Sequence, residues 1–430
     1  MDEYVRLGLQ QNSEIQQQRL QYAESRSAVT EARANLLPSL SLESRYSDFH
    51  GNMLNVGDLI NPAYAALNQL TGTSRFPTSL DLTIPQKQQT TLRLTQPLFE
   101  PRALYNFRIR RYLRDLESAR LKTSERSLVR DIKTAYLGYA KSVRVVELYD
   151  QTISVLEENV RVSQKLVDNQ KATLDVLYRA KAELNDLKQK RSEAELQRSD
   201  AARYFNFLLK RSLDAPILLD VDSAIGAIEV PGVDSALARG LAHRDELHQL
   251  TYGLRAASNS IKLNNAAFYP TLSVALDYGY QGNDYRFDRD DDLTTVSLVA
   301  TWNLFNGGRD AARRQQAVLE SERLRLQQDE VRRQIEMQIR QTYDAVLVAR
   351  QSVSTAADRL TSAQRSFELV SRRFAEGMAP QVEFLDARAN LTSAGINQIL
   401  TTYDFAVRYA QLEQAAALVD LQTITADQDK

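Results

Sequence analysis

The residues of this chain whose types could do chemistry are three histidines, a run of aspartates, one glycine pair and two closely spaced acids. His50, His243 and His248 have no metal-ligand spacing. His243 and His248 stand five apart, which sets them on different faces of a helix and suits surface or packing roles. Asp284, Asp288, Asp290, Asp291 and Asp292 share the composition of a calcium loop. They lack its ordered spacing and terminal glutamate, and read as a solvated loop. Gly307-Gly308 matches no phosphate loop, and no G-x-G-x-x-G, P-loop, G-x-S-x-G or H-E-x-x-H occurs. Cysteine is absent, so this chain has no disulfide, thiolate metal site, cysteine nucleophile or lipidated N-terminal cysteine. No catalytic constellation remains, and neither enzyme activity nor a cofactor or metal is expected. Glu383 and Asp386, three apart, share one helical face, although a helix N-terminus alone would favour both through its dipole.

The elements around these residues come in two sets. Ala34–Tyr46 reads A-N-L-L-P-S-L-S-L-E-S-R-Y and Ala266–Tyr278 reads A-A-F-Y-P-T-L-S-V-A-L-D-Y; Thr91–Phe99 corresponds to Ser297–Phe305, and Asp175-Val176-Leu177 to Glu383-Phe384-Leu385. The chain is a tandem duplication in which each half repeats helix, strand, loop, strand, long helix, turn, helix. Pro38 and Pro270 are 232 apart but Phe99 and Phe305 only 206, so the first inter-strand loop, Ser47 to Gln89, holds the insertion, with a short helix expected over Pro62–Leu70. The boundaries that follow are 1–213 for the first repeat, 214–233 for a linker and belt segment, 234–415 for the second repeat and 416–430 for a C-terminal tail. The 430 residues are 43% hydrophobic and 25% charged with net charge −1, and the dispersed basic residues leave no footprint for nucleic acid. Met1-Asp2-Glu3-Tyr4 leads straight into helical sequence, as in a mature or trimmed chain. No run of 18 apolar residues could form a membrane-spanning helix. A bilayer crossing must use strands.

Strands are expected at 38–46, 90–99, 270–280 and 294–305. Leu272, Val274, Leu276, Tyr278 and Tyr280 alternate with Thr271, Ser273, Ala275, Asp277 and Gly279, and Val296, Leu298, Ala300 and Trp302 with Ser297, Val299 and Thr301. Period two over about ten residues, with aromatics near an end, fits a strand facing lipid on one side and water on the other. A soluble sheet with one face on a core would alternate too, but the helices have their own packing to satisfy. Four strands cannot close a membrane barrel, for which about eight is the minimum, whereas three copies would supply twelve.

The helices carry a heptad seam. Ile339, Val346, Val353, Leu360, Phe367 and Phe374 recur every seven residues, with Ala349, Ala356, Ala363 and Val370 three later; Ile132, Tyr139, Val146, Ile153, Val160 and Val167 do the same in the first half. Such a repeat implies left-handed supercoiling, with alanine allowing close approach. The pattern predicts long helices over 102–167 and 309–374, each about 100 Å long at 1.5 Å per residue. They break at Asp168–Thr173 and at Glu376-Gly377-Met378-Ala379-Pro380, giving helical hairpins 102–211 and 308–415. Phe99-Glu100-Pro101 and Phe305-Asn306-Gly307-Gly308 mark the strand-to-helix junctions.

The pattern resembles the TolC-type outer-membrane efflux and secretion channel family across nearly the whole chain. A-N-L-L-P-S-L-S-L, Val296–Arg309 (V-S-L-V-A-T-W-N-L-F-N-G-G-R) and Gly377–Ala387 (G-M-A-P-Q-V-E-F-L-D-A) carry the resemblance. It implies a mainly α fold with a membrane β-barrel: a homotrimer with a twelve-stranded barrel in the Gram-negative outer membrane and a helical tunnel through the periplasm. It implies passive export with an inner-membrane pump joined through a periplasmic adaptor. It further implies a pore gate at Glu383 and Asp386, with Asp175 the first-half acid, and adaptor docking at the tips Asn169, Gln170, Lys171, Gly377, Met378, Ala379 and Pro380. Leu272, Val274, Leu276, Tyr278, Leu298 and Trp302 would face lipid. Ala379 stands where the family often carries a latch arginine, and Arg372 and Arg373 are the nearest substitutes. The competing reading is a soluble oligomeric coiled-coil scaffold or periplasmic adaptor, which would tolerate arginine on the strands and need no detergent.

Overall fold

The computed structural model describes residues 1–50, 54–80, 83–84, 87–220, 225, 228–282 and 291–421. Asp284, Asp288, Asp290, Gly226 and the tail from residue 422 lie outside them. Two compact units emerge: Met1–Glu24 with Arg114–Gly253 and Arg323–Lys430, and Ser25–Leu113 with Leu254–Glu322.

The second of these units holds a four-stranded antiparallel sheet, β1 (Ser39–Tyr46), β4 (Gln88–Phe99), β5 (Thr271–Gly282) and β6 (Asp292–Thr301), in the order β1-β4-β5-β6. A two-stranded ribbon, β2 (Leu54–Asn55) with β3 (Thr83–Ile84), and helix α3 (Gly57–Thr71) occupy the long loop. The helix expected over Pro62–Leu70 is therefore longer, and Pro62 falls in its second turn. The last strand ends earlier than expected, so Trp302 sits one residue beyond β6 and its indole N–H donates to the Phe268 carbonyl (3.1 Å). Register brings one end of all four strands together: Ser39 faces Thr95, Phe99 faces Leu272 and Thr271 faces Thr301. A bulge interrupts the ladder between Pro97 and Phe99, consistent with the missing proline N–H. A Cβ at Gly279 would lie 2.0 Å from the Thr90 carbonyl oxygen, so the β4–β5 approach admits only glycine.

Helices α1 (Asp2–Gln11) and α2 (Ser13–Ala34) precede the sheet, and α4 (Pro101–Asp168) and α5 (Leu174–Leu208) follow it; the second half repeats this with α6 (Val233–His243), α7 (Asp245–Asn265), α8 (Arg309–Ala375) and α9 (Gln381–Ala415). Pro101 opens α4, where its missing N–H costs nothing. Asn306-Gly307-Gly308 opens α8: both glycines have positive φ, 67° and 80°, and the Asn306 amide donates to the buried Asp310 carboxylate. The repeats also match in packing. A Cβ on Gly8 would come within 2.3 Å of Ile132 Cδ1, and one on Gly240 within 2.4 Å of Ile339 Cδ1, so in each half a glycine of the first helix seats a fully buried isoleucine of the long helix.

Two apolar clusters in the first unit fix the hairpins, one around Val5, Ile132, Tyr136, Phe205 and Leu209, the other around Leu237, Ile339, Val346 and Leu412. The linker is strapped on by tyrosines: the Tyr136 hydroxyl donates to the Leu218 carbonyl (3.1 Å) and accepts from the Asp220 N–H (2.8 Å). Three arginines hold the end of α9 and the chain beyond it, with Arg244 donating to the Ala415 carbonyl, Arg239 to Ala417 and Leu418, and Arg126 to Val419. Towards its C-terminus α4 buries Thr152, Leu156, Asn159 and Ser163, positions that the first-half heptad did not mark. This part of α4 meets two neighbours, α5 through Leu184 and Leu187 and α9 through Gln381, so the buried stripe is wider than one seam.

Candidate functional site

The strand faces are sorted in the reverse of a soluble sheet. On one face stand Leu40, Leu42, Leu92, Leu94, Leu276, Tyr278, Val296 and Leu298, aligned by register and all exposed, several by more than 60%. Leu272 and Val274 continue this face, half-buried. The opposite face carries Thr91 (2% exposed) and Asp277 (9% exposed). There Arg93 bridges two strands, with Nε 2.6 Å from Asp277 and Nη1 3.8 Å from Glu43. The sequence signal for this pair was available: opposite charges at facing positions of neighbouring strands on the polar side. Water gives no reason to expose leucines and shelter a carboxylate; hydrocarbon outside and water inside does.

Aromatic side chains bracket the apolar band. Tyr46, Tyr278 and Tyr280 lie at the loop end, and Phe99, Phe268, Tyr269, Trp302 and Phe305 at the helix end. Ten strand residues span about 33 Å, or about 25 Å of depth at the tilt of membrane barrels, which is the height of their apolar band.

The hairpin tips lie in the other unit. Both turn by one device: the Lys171 N–H donates to the Leu166 carbonyl (2.8 Å) with Gln170 at φ 56°, and the Met378 N–H to the Arg373 carbonyl (2.7 Å) with Gly377 at φ 73°. This closes each long helix with a left-handed residue, glycine in one tip and glutamine in the other. The same pairing recurs after α5 and α9, at Lys210 (φ 54°) and Ala417 (φ 51°). All these pairs are 207 apart, and so are the helix starts Leu174 and Gln381. The structural counterparts of Glu383 and Asp386 are therefore Val176 and Arg179. The alignment of Asp175 with Glu383 is one residue out, because it matched acids rather than helix starts.

Asp175 serves its own helix. The Thr173 hydroxyl donates to its carboxylate and holds it below the usual carboxylate range, with Arg179 at 3.9 Å. In the second tip Arg373 Nη1 donates to Glu383 Oε1 (2.8 Å) and Nη2 to the Met378 carbonyl (3.3 Å). Asp386 is exposed and makes no hydrogen bond or ion pair among the described residues. Phe384 fixes the face they share, with ring centroids 4.9 Å from Phe374 and 5.5 Å from Phe367. The buried Gln381 amide donates to Ser163 Oγ (3.3 Å), tying α9 to α4, and Ala379 is buried beside exposed Met378 and Pro380. Asn169, Gln170 and Lys171 are exposed. Pairing of Arg373 with Glu383 was missed in the sequence because ten residues separate them across a turn.

His243 and His248 border one cavity. The helix breaks at Arg244, and both line a cavity of about 500 Å³ with Lys122, Arg126, Arg239 and Tyr252. No group of three metal-binding side chains forms among the described residues.

Residues 236–418 match the family described as Outer membrane efflux protein. The chain is 23% identical over 340 residues to the alkaline protease secretion protein AprF of Pseudomonas aeruginosa, covering 77% of this chain and 69% of that one. The second half of the chain thus carries the pattern of the outer membrane efflux protein family. The fold of the whole chain is that of a solved outer-membrane channel: it overlays on the Campylobacter jejuni CmeC outer membrane channel with TM-score 0.79 and 13% identity, over 100% of this chain and 89% of that one. On the outer membrane protein VceC of Vibrio cholerae the TM-score is 0.77 with 16% identity, over 96% and 95%. Both of these structures are of outer-membrane proteins.

Proposed function

We propose that this protein is the passive exit duct of a tripartite efflux or type I secretion system, set in the Gram-negative outer membrane and reaching into the periplasm. The observation that carries the reading is the exposed apolar sheet face opposite a sheltered Asp277 carboxylate paired with Arg93. Strands β1 and β6 are open edges, and in hydrocarbon each unpaired backbone group costs several kcal/mol. Closure by two further copies satisfies them with twelve strands. A soluble scaffold or adaptor would leave the leucine face in water.

The rest of the assembly follows from the tips. Asn169–Lys171 and Gly377–Pro380 are the surfaces offered to a periplasmic adaptor, itself coupled to an inner-membrane pump. Glu383 and Asp386 ring the narrowest aperture, three copies giving six carboxylates that attract cations; Asp175 lies one position off that ring. Cargo moves through without chemistry, so no cofactor is needed.

Cell fractionation and purification test the reading. The protein should sediment with the outer membrane, require detergent for extraction and crosslink as a trimer; a water-soluble monomer without detergent would remove the proposal. Replacing Glu383 and Asp386 together by alanine should raise single-channel conductance in planar bilayers and weaken block by divalent cations. Unchanged conductance would remove the gate.

A further inference from the structure

Helix α4 divides its arginines into two classes. Arg114, Arg120, Arg126, Arg130, Arg144 and Arg161 each have a carboxylate within 4.0 Å. The first four, Arg102, Arg108, Arg110 and Arg111, are exposed and have none among the described residues; only the Tyr105 and Phe107 rings lie under Arg108 (5.4 Å) and Arg111 (5.9 Å). No acid occurs between Pro101 and Leu113. Arg108 and Arg111, three apart, repel one another and Arg102 in the first turn opposes the positive end of the helix dipole, so the chain alone gains nothing from these charges. An external anion would reverse that balance.

Their place in the fold says which anion. Helix α4 starts two residues after β4 ends, directly below the helix-end aromatics, of which Phe99 (47%), Trp302 (60%) and Phe305 (85%) are open to the surroundings. Exposed aromatics at the end of an apolar band mark the membrane interface. The four arginines follow within about 15 Å along the helix, and their long side chains can extend toward the head-group layer. We propose that Arg102, Arg108, Arg110 and Arg111 form a binding surface for anionic phospholipid head groups of the periplasmic leaflet. This rests on the membrane placement proposed above, and guanidinium suits a phosphodiester through paired N–H donors.

The chain carries its own reporter. Trp302 is the single tryptophan, and it lies close by, since Phe99 pairs with Leu272 and Leu272 with Ala300, two strand spacings or about 10 Å across. The purified protein is reconstituted into phosphatidylcholine vesicles in which either phosphatidylglycerol or phosphatidylcholine carries brominated acyl chains, and Trp302 quenching is compared. Brominated phosphatidylglycerol should be preferred about fivefold or more, the effect of one arginine engaged near such a surface. The R102Q/R108Q/R110Q/R111Q variant should lose the preference, while the corresponding all-lysine variant keeps most of it; quenching by brominated phosphatidylcholine in the same samples reports insertion. Equal quenching by the two lipids in the natural chain, or an unchanged preference in the glutamine variant, would overturn the lipid surface and leave the membrane placement standing. No quenching by either lipid would sink the membrane placement and the lipid surface with it.

Discussion

The first hairpin turns at Gln170 and the second at Gly377 through the same backbone hydrogen bonds, yet Val176 and Arg179 stand where the second tip carries Glu383 and Asp386. Duplication kept the turn and let the charge diverge. The turn is dictated by backbone geometry, which any copy must satisfy. The charges face outward from that geometry and are free to specialise. Within the second tip the two acids differ again: Glu383 is held by Arg373, while Asp386 has no partner among the described residues.

The largest contrast should come from charge. Asp386→Asn is expected to reduce cation preference, read as a shift in reversal potential under a salt gradient, more than Glu383→Gln, because Arg373 already offsets Glu383. Arg179→Asp should add divalent block from the first tip. Equal shifts for the two single variants would show that the Arg373 pair does not matter in the channel.

Backbone substitutions should separate the tips next. Gly377→Ala forces an L side chain into the left-handed region at a cost of about 1 kcal/mol. Gln170→Gly should relieve the same strain and stabilise the first tip by about 0.5–1 kcal/mol. Thermal unfolding and amide exchange at the tips measure both, and matching effects of opposite sign are expected.

The smallest effect concerns pH. Asp175 is depressed by the Thr173 hydroxyl, so its contribution is present above the ordinary carboxylate pKa and is lost as pH falls through the depressed value. Thr173→Val should raise that pKa and bring fraying of the first tip to higher pH, seen as faster amide exchange near Asp175 after correction for intrinsic rates. The second tip should not respond to this substitution.

Much of this was legible in the sequence. The long helices ended within one residue of expectation, because proline or glycine punctuates three of their four ends, and the strands within about four, because alternation fades before pairing does. The exposed leucine face of the sheet was legible too, since period two fixes a face whatever lies beyond it. Less legible was whatever depends on which residues meet across a turn or a neighbouring element. The Arg373–Glu383 pair, the break at Arg244 that brings His243 and His248 to one cavity, and the burial of Asn159 and Ser163 between two helices all belong to tertiary packing. Asp175 was misplaced by one residue because similarity of side chains outweighed the count from the helix start.

Arginine substitution on the two faces of the sheet tests the account most directly. Leu276 lies mid-strand on the exposed apolar face, and Ser297 at a neighbouring position on the polar face. Unfolding of the reconstituted protein in denaturant should show Leu276→Arg destabilised by about 2–4 kcal/mol, as for a charge near the bilayer midplane, with Ser297→Arg close to the natural chain. Equal tolerance of arginine at both positions would mean that no hydrocarbon meets this sheet, and the channel reading would be contradicted.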